Sequence, residues 1–369
     1  MTQTFHRGIA SGEAFCNRTD ELARLTHNIQ QLTQTLLISP RRYGKTSLAL
    51  RAIESVKWPY ADIDLFMKQD SESVMNEFFD GIGTLISKII KPTEQAIRKL
   101  ESLLKNLSVS IRVGQLGFEF TVSPKTVDAK KNLKSLLIGV DELLVKHKKH
   151  AIIFIDEIQS ISGSPVCDEV ESSLRFVAQK TKNISFIFSG SNRHLLSQMF
   201  EDRSRPLYKL CHKIPLQRIS AEHYKNFINK FSRVRWKENL SNETLEEIFS
   251  CAKCHPYYMN ILCSYLFESN TIPRVDDVVI CWKKICREEQ GSVARDIEFL
   301  TSKQKQLLSE IAKAPGLKEP AGKNFSSRVN LSVKGILGAI EILLKHDLVE
   351  KLETGEIRIV DPVLDCWSK

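Results

Sequence analysis

The segment Ser39-Pro40-Arg41-Arg42-Tyr43-Gly44-Lys45-Thr46-Ser47 sets a lysine and two hydroxyls directly behind a glycine. That order suits phosphate binding. It follows the apolar run Leu36-Leu37-Ile38 and precedes a helical pattern over residues 48–56. A strand, a tight loop and a helix start bring backbone N–H groups and the positive end of a helix dipole to one point, where phosphate oxygens are held. At such a point Lys45 reaches the β- and γ-phosphates of a nucleotide, and the Thr46 hydroxyl ligates Mg²⁺. Gly44 allows a backbone conformation that a side chain obstructs. The full pattern usually begins with glycine; here that position is Ser39.

A second element supplies acids. Ile152-Ile153-Phe154-Ile155 runs into Asp156-Glu157. Continuous apolar character describes a strand buried in a parallel sheet, and ligands bind outside the C-terminal ends of such strands. Asp156 is expected to hold the Mg²⁺ shell and Glu157 to act as general base on an attacking water. An acid placed directly after the Mg²⁺ aspartate implies hydrolysis rather than phosphoryl transfer to a metabolite. The competing accounts are a chance Gly-Lys-Thr in a turn and a strand that ends in surface acids. Each is weak once both elements occur in one chain. No Asn-Lys-x-Asp guanine-selecting motif is present, so ATP is favoured over GTP.

These residues need a scaffold. Short apolar runs alternate with helical patterns up to about residue 216, which is the signature of a parallel sheet with crossover helices. The expected strands are 35–39, 59–65, 151–155, 185–189 and 209–216. Residues 108–122 break the rhythm as two alternating arms around Gly114-Gln115-Leu116-Gly117, and read as a hairpin insertion. Residues 220–290 read as helical. From about 300 the pattern is 303–313, 326–329 and 332–346, then a hairpin around Glu353-Thr354-Gly355, as in a winged helix.

A chain of 369 residues calls for two or three domains. No apolar run approaches the roughly 18 residues that span a bilayer. The first 15 residues contain no apolar stretch before a cleavage site, so a cytoplasmic location is expected. Nine scattered cysteines do not form a disulfide framework pattern and read mostly as small packing residues. Cys251-Ala252-Lys253-Cys254-His255 matches a haem-attachment pattern, but it falls in a helical stretch without an export signal, and packing is the better reading. The net charge is +9, yet residues 296–369 carry 11 side chains of each sign and contribute nothing to it.

The loop 39–48 resembles the P-loop of the archaeal-type ATPase family, which is AAA+-related and close to the STAND signalling ATPases. Four further segments fit in order. Phe15-Cys16-Asn17-Arg18 resembles the motif that seats the adenine, which implies nucleotide contacts for Asn17 and Arg18. Ser189-Gly190-Ser191-Asn192-Arg193 resembles the sensor strand end, which implies that Asn192 and Arg193 sense the γ-phosphate. Cys254-His255-Pro256 stands where the family has a Gly-x-Pro-type motif in its helical lid, placing His255 and Pro256 at the nucleotide. Asp361-Pro362-Val363-Leu364 resembles the close of the winged helix. Arg203 and Arg205 are candidate trans-acting arginine fingers if the protein forms an oligomeric ring, with solvated charge as the alternative.

The resemblance implies an α/β P-loop ATPase core of ASCE/AAA+ type over 1–216, a helical lid over 217–295 and a winged-helix domain over 296–369. ATP and Mg²⁺ are the expected cofactors. The expected role is a nucleotide-dependent switch on a protein partner. Two alternatives stay open: a DNA-associated ATPase of the replication-initiator or transposition-helper type, and a nucleotide-sensing scaffold with little turnover. The DNA reading is weaker because the expected recognition helix, 332–346, is mostly apolar.

Overall fold

The computed structural model describes all residues except 1–4, 6–7, 11, 92, 94–108, 115–117, 123–128, 315, 330 and 368–369. They form two compact units. One comprises Thr19–Ser39 and Lys45–Leu216; the other comprises the described residues of 1–18, Pro40–Gly44 and Gln217–Lys369.

The first unit is built on five parallel strands: β1 (Thr35–Ile38), β2 (Tyr60–Asp64), β5 (Ala151–Asp156), β6 (Ile184–Gly190) and β7 (His212–Pro215). Their order across the sheet is β2-β5-β6-β1-β7. Every residue of β5 and β6 is buried, which side chains alternating between two faces can achieve only when helices cover both. Those helices are α1 (Thr19–Gln30), α2 (Lys45–Val56), α3 (Ser71–Ile89), α4 (Ala129–His147), α5 (Cys167–Lys180) and α6 (Arg193–Glu201). Contacts link α1 with α2, α3 with α4, and α4 with α5.

The strand register creates the site. Ile38 pairs with Gly190, and Ile155 with Phe188. Two residues on from each of the latter lie Glu157 and Gly190, so the segments that follow β1, β5 and β6 leave the sheet at one edge.

Two expectations are corrected. Only His212–Pro215 of 209–216 is a strand, because Lys209 adopts φ 51° and its N–H donates to the Phe200 carbonyl, keeping 209–211 in a turn. The helix after the loop starts at Lys45 rather than 48, so Lys45, Thr46 and Ser47 form its first turn. The hairpin is present as β3 (Val109–Val113) and β4 (Phe118–Val122), antiparallel, with Val109 opposite Val122 and separate from the main sheet. It is tied to α3 by the Phe118 N–H donating to Ser87 Oγ at 2.8 Å. Residues 108 and 115–117 of the expected hairpin lie outside the described residues.

The second unit contains the helices α7 (Ala221–Trp236), α8 (Asn242–Ala252), α9 (Pro256–Leu266) and α10 (Val275–Asp296). The N-terminal Phe5 is buried in the same unit against Phe227, Phe231 and Phe267. Then come α11 (Ser302–Ala312), α12 (Lys323–Val329), α13 (Val333–Lys345), the hairpin β8 (Val349–Lys351) and β9 (Ile357–Ile359), and α14 (Val363–Trp367). Leu317 adds a short bridge to β9, completing the three-helix and wing arrangement. Gly355, at φ 82°, makes the hairpin turn. Caps fix three starts: Ser220, Ser241 and Ser332 each accept a backbone N–H three residues ahead. One disulfide joins Cys286 on α10 to Cys366 on α14, and the other seven cysteines are thiols. No helix of the described residues is long and apolar enough to cross a membrane.

Candidate active site

In the first unit the acids and hydroxyls expected to hold metal and water converge. Thr46 Oγ1 donates to Asp156 Oδ2 at 2.6 Å. Asp156 is buried, and its Oδ1 accepts from the Ser189 hydroxyl and from the Glu157 N–H. A hydroxyl beside a buried carboxylate gives the hard oxygen donors that Mg²⁺ prefers, so these residues fit the ion. Lys45 is also buried, with its ammonium donating to the Ser39 carbonyl at 3.1 Å.

Glu157 sits at φ 52°, in the left-handed region that costs a non-glycine residue about 1–2 kcal/mol. Its Oε2 accepts from the Ser191 N–H at 3.1 Å, from Ser191 Oγ at 2.7 Å and from the Gln159 amide. Three donors on one oxygen fix the carboxylate at the end of β6. A Cβ at Gly190 would overlap Gln159 Oε1, so glycine is what permits this close approach. Asn192 caps α6, its side-chain oxygen accepting the Leu195 N–H at 3.0 Å, and Arg193 is the first residue of that helix. Both stand directly after Ser191, at the end of β6, which pairs with the acidic strand β5.

The tip of the loop, Pro40–Gly44, packs within the second unit. Arg42 and Gly44 have positive φ, 64° and 89°. Gly44 therefore satisfies a backbone demand, with open space around its missing Cβ. Tyr43 is buried, and its ring meets that of His255 edge-on at 4.9 Å. Arg18 donates to the Tyr43 carbonyl at 3.1 Å, and Asn17 and Arg18 both have positive φ. Arg42 lies over the Tyr257 ring at 4.1 Å and bonds Glu289 at 3.3 Å, while the Tyr257 hydroxyl bonds the same carboxylate. Arg41 is exposed.

His255 is buried at the N-terminus of α9 with Pro256 as its first residue. Burial, reinforced by the Arg218 and Arg42 guanidinium groups, holds its imidazole well below the usual histidine range, so it is neutral at physiological pH. Among the described residues its Nδ1 has no hydrogen-bond partner.

Of the two candidate arginine fingers, Arg203 is exposed in the turn after α6. Arg205 bonds the fully buried Glu171 and the Cys167 thiol, and its Nη1 lies 3.8 Å from Asp168. Neither of the anticipated descriptions, trans-acting finger or solvated charge, suits an arginine committed to a buried carboxylate of its own unit.

Four residues of these networks had no individual role assigned from the sequence, Glu350 among them through its bond from the Tyr43 hydroxyl. Ser189 and Ser191 matter through strand register, and Arg218 and Glu350 through tertiary contacts. Arg218 donates to the Tyr43 hydroxyl, to the Lys253 carbonyl, and to the Ile359 and Val360 carbonyls.

Residues 15–262 match the family described as an ATPase domain predominantly from Archaea, and residues 294–369 match a probable winged helix domain. No curated protein matches the chain. Among solved structures, a Walker-type ATPase of Pyrococcus abyssi is similar over 100% of this chain and 99% of its own, with a TM-score of 0.72 and 17% identity. The Aeropyrum pernix ORC2 protein in its ADP form is similar over 99% and 98%, with a TM-score of 0.55 and 14% identity. At such identities the likeness is one of fold. With the family match covering well over half of the chain, this protein belongs to the archaeal-type ATPase family, and its P-loop core is followed by a C-terminal winged helix.

Proposed function

We propose that this protein binds MgATP at the loop 39–47 and hydrolyses it, using the turnover as a conformational switch on a protein partner. The observation that carries the reading is the Thr46–Asp156 contact beside Glu157 at one edge of the sheet. Lys45, with backbone N–H groups of the loop, binds the β- and γ-phosphates. Thr46 and Asp156 are the residues that would hold Mg²⁺, which when bound neutralises phosphate charge. Glu157 orients a water and takes its proton as the water attacks the γ-phosphorus, while Asn192 and Arg193 face the departing phosphoryl group. Ser191 and Gln159 limit where the Glu157 carboxylate can stand.

The working parts are the core over 1–216, the lid over 217–295 and the winged helix over 296–369. A protein partner is favoured because α13 leaves Val333 and Leu337 about half exposed, where a DNA reader would present cations. Lys45→Ala tests the site. It removes the cation aimed at the β/γ-phosphates, so calorimetry should show MgATP binding lost with the thermal midpoint retained. Unchanged affinity in a folded variant would sink the assignment.

A further inference from the structure

The buried Tyr43 hydroxyl is held from two sides by side chains outside the loop. It accepts from Arg218 Nε at 3.2 Å and donates to Glu350 Oε1 at 3.1 Å. Glu350 is on β8, in the wing of the winged helix, and is itself buried. Arg358 on β9 donates to the same oxygen at 2.7 Å, and Arg218 lies 3.8 Å from it. The Glu350 side chain thus stands between two guanidinium groups and accepts the tyrosine hydroxyl on the oxygen that Arg358 also bonds. Arg218 is anchored in turn by three backbone carbonyls, at Lys253, Ile359 and Val360, so it cannot follow the loop if the loop moves.

The consequence reaches the next peptide. Tyr43 and Gly44 share a trans peptide, so the Gly44 N–H is directed opposite to the Tyr43 carbonyl. That carbonyl is fixed by Arg18. Ring, hydroxyl and carbonyl of Tyr43 are thus all restrained, which leaves the N–H of Gly44 with a single direction. Lys45 follows immediately in the chain.

We propose that Glu350 is a positioning residue for nucleotide binding: from the winged helix, it holds the Tyr43 hydroxyl and so preorganises the phosphate loop. This rests on the reading of residues 39–47 as the MgATP loop. A loop already in its binding conformation loses less entropy when the nucleotide arrives. By reciprocity, bound nucleotide strengthens the hold of the loop on the wing, which gives the winged helix a direct reading of the nucleotide state.

The test is steady-state MgATP hydrolysis and equilibrium MgATP binding by the full chain, for the wild type, Tyr43→Phe, Glu350→Gln and the double variant. Tyr43→Phe deletes only the hydroxyl and leaves the buried ring, so it folds even if Glu350→Gln does not. The expected result is a rise of about ten-fold in KM and Kd for each single variant, with kcat within about two-fold of the wild type. The double variant should be no worse than Tyr43→Phe, since Glu350→Gln weakens, by loss of the charge, the same bond that Tyr43→Phe deletes. Unchanged KM and Kd in Tyr43→Phe, a loss confined to kcat, or effects that multiply in the double variant would each overturn the proposal. A wild type that fails to bind MgATP overturns the loop assignment itself, whereas a wild type that binds while both single variants match it overturns the positioning role alone.

Discussion

Arg205 shows how far a side chain's role can lie from its place in the sequence. It follows α6 in a stretch with two arginines and looks like a solvated charge or a finger for a neighbouring subunit. Its guanidinium bonds Glu171, whose side chain is 0% exposed while that of Arg205 is 27% exposed. Burial raises the Glu171 carboxyl above its usual range, and Arg205 opposes that shift. Arg205→Ala should therefore destabilise the protein by about 2–3 kcal/mol at pH 7.5, less than a wholly buried pair because the arginine is partly solvated. Without its cation Glu171 is raised further. An acid with a raised folded-state pKa contributes most below its unfolded value and loses that contribution as pH rises through the folded one. The gap between variant and wild type should accordingly narrow at pH 5.5. Thermal midpoints at the two pH values check both statements. An unchanged midpoint, with turnover lost only in an assembled oligomer, would return Arg205 to the role of a finger.

Elements were legible wherever one local rule decided them. Residues 151–156 are apolar up to the acids, and a run of that kind has few options other than a central parallel strand. The loop announced itself because glycine, lysine and threonine meet between a strand and a helix, and the structure provides the positive φ at Gly44 that this glycine predicts. The arms of the 109–122 hairpin alternate cleanly and pair as their spacing suggests. Residues 209–211 lie outside the strand although Leu210 and Cys211 are apolar, because the Lys209–Phe200 backbone bond that holds them out of the pairing is tertiary. Strand order also decides what sequence spacing cannot. β6 separates β1 from β5, so the serines at its end, Ser189 and Ser191, become the hydroxyls that touch Asp156 and Glu157. Glu350 was invisible for the same reason. A single acid on a three-residue strand carries no pattern, and its importance comes from the tyrosine 307 positions away.

At the scale of the whole molecule the question is what the winged helix serves. Ile336, Ala339, Ile340 and Leu343 of α13 are buried, and the exposed positions include Val333 and Leu337. Residues 296–369 are electrically neutral, so they release few counterions from DNA. The full chain should therefore bind duplex DNA with a Kd of about 1 μM or weaker at roughly 150 mM salt, and Lys334→Glu should alter that by less than about two-fold. Titration of labelled duplex at two salt concentrations checks this; tight binding with a steep salt slope that Lys334→Glu abolishes would favour a DNA-associated ATPase. The central claim is that Asp156-Glu157 completes a hydrolytic site at the phosphate loop, and the most direct measurement compares MgATP binding with MgATP turnover in Glu157→Gln. The amide keeps the shape of the carboxylate but cannot take the proton of water, so binding should stay within about three-fold of wild type while turnover falls by about 100-fold or more. Turnover at the wild-type rate would contradict the account.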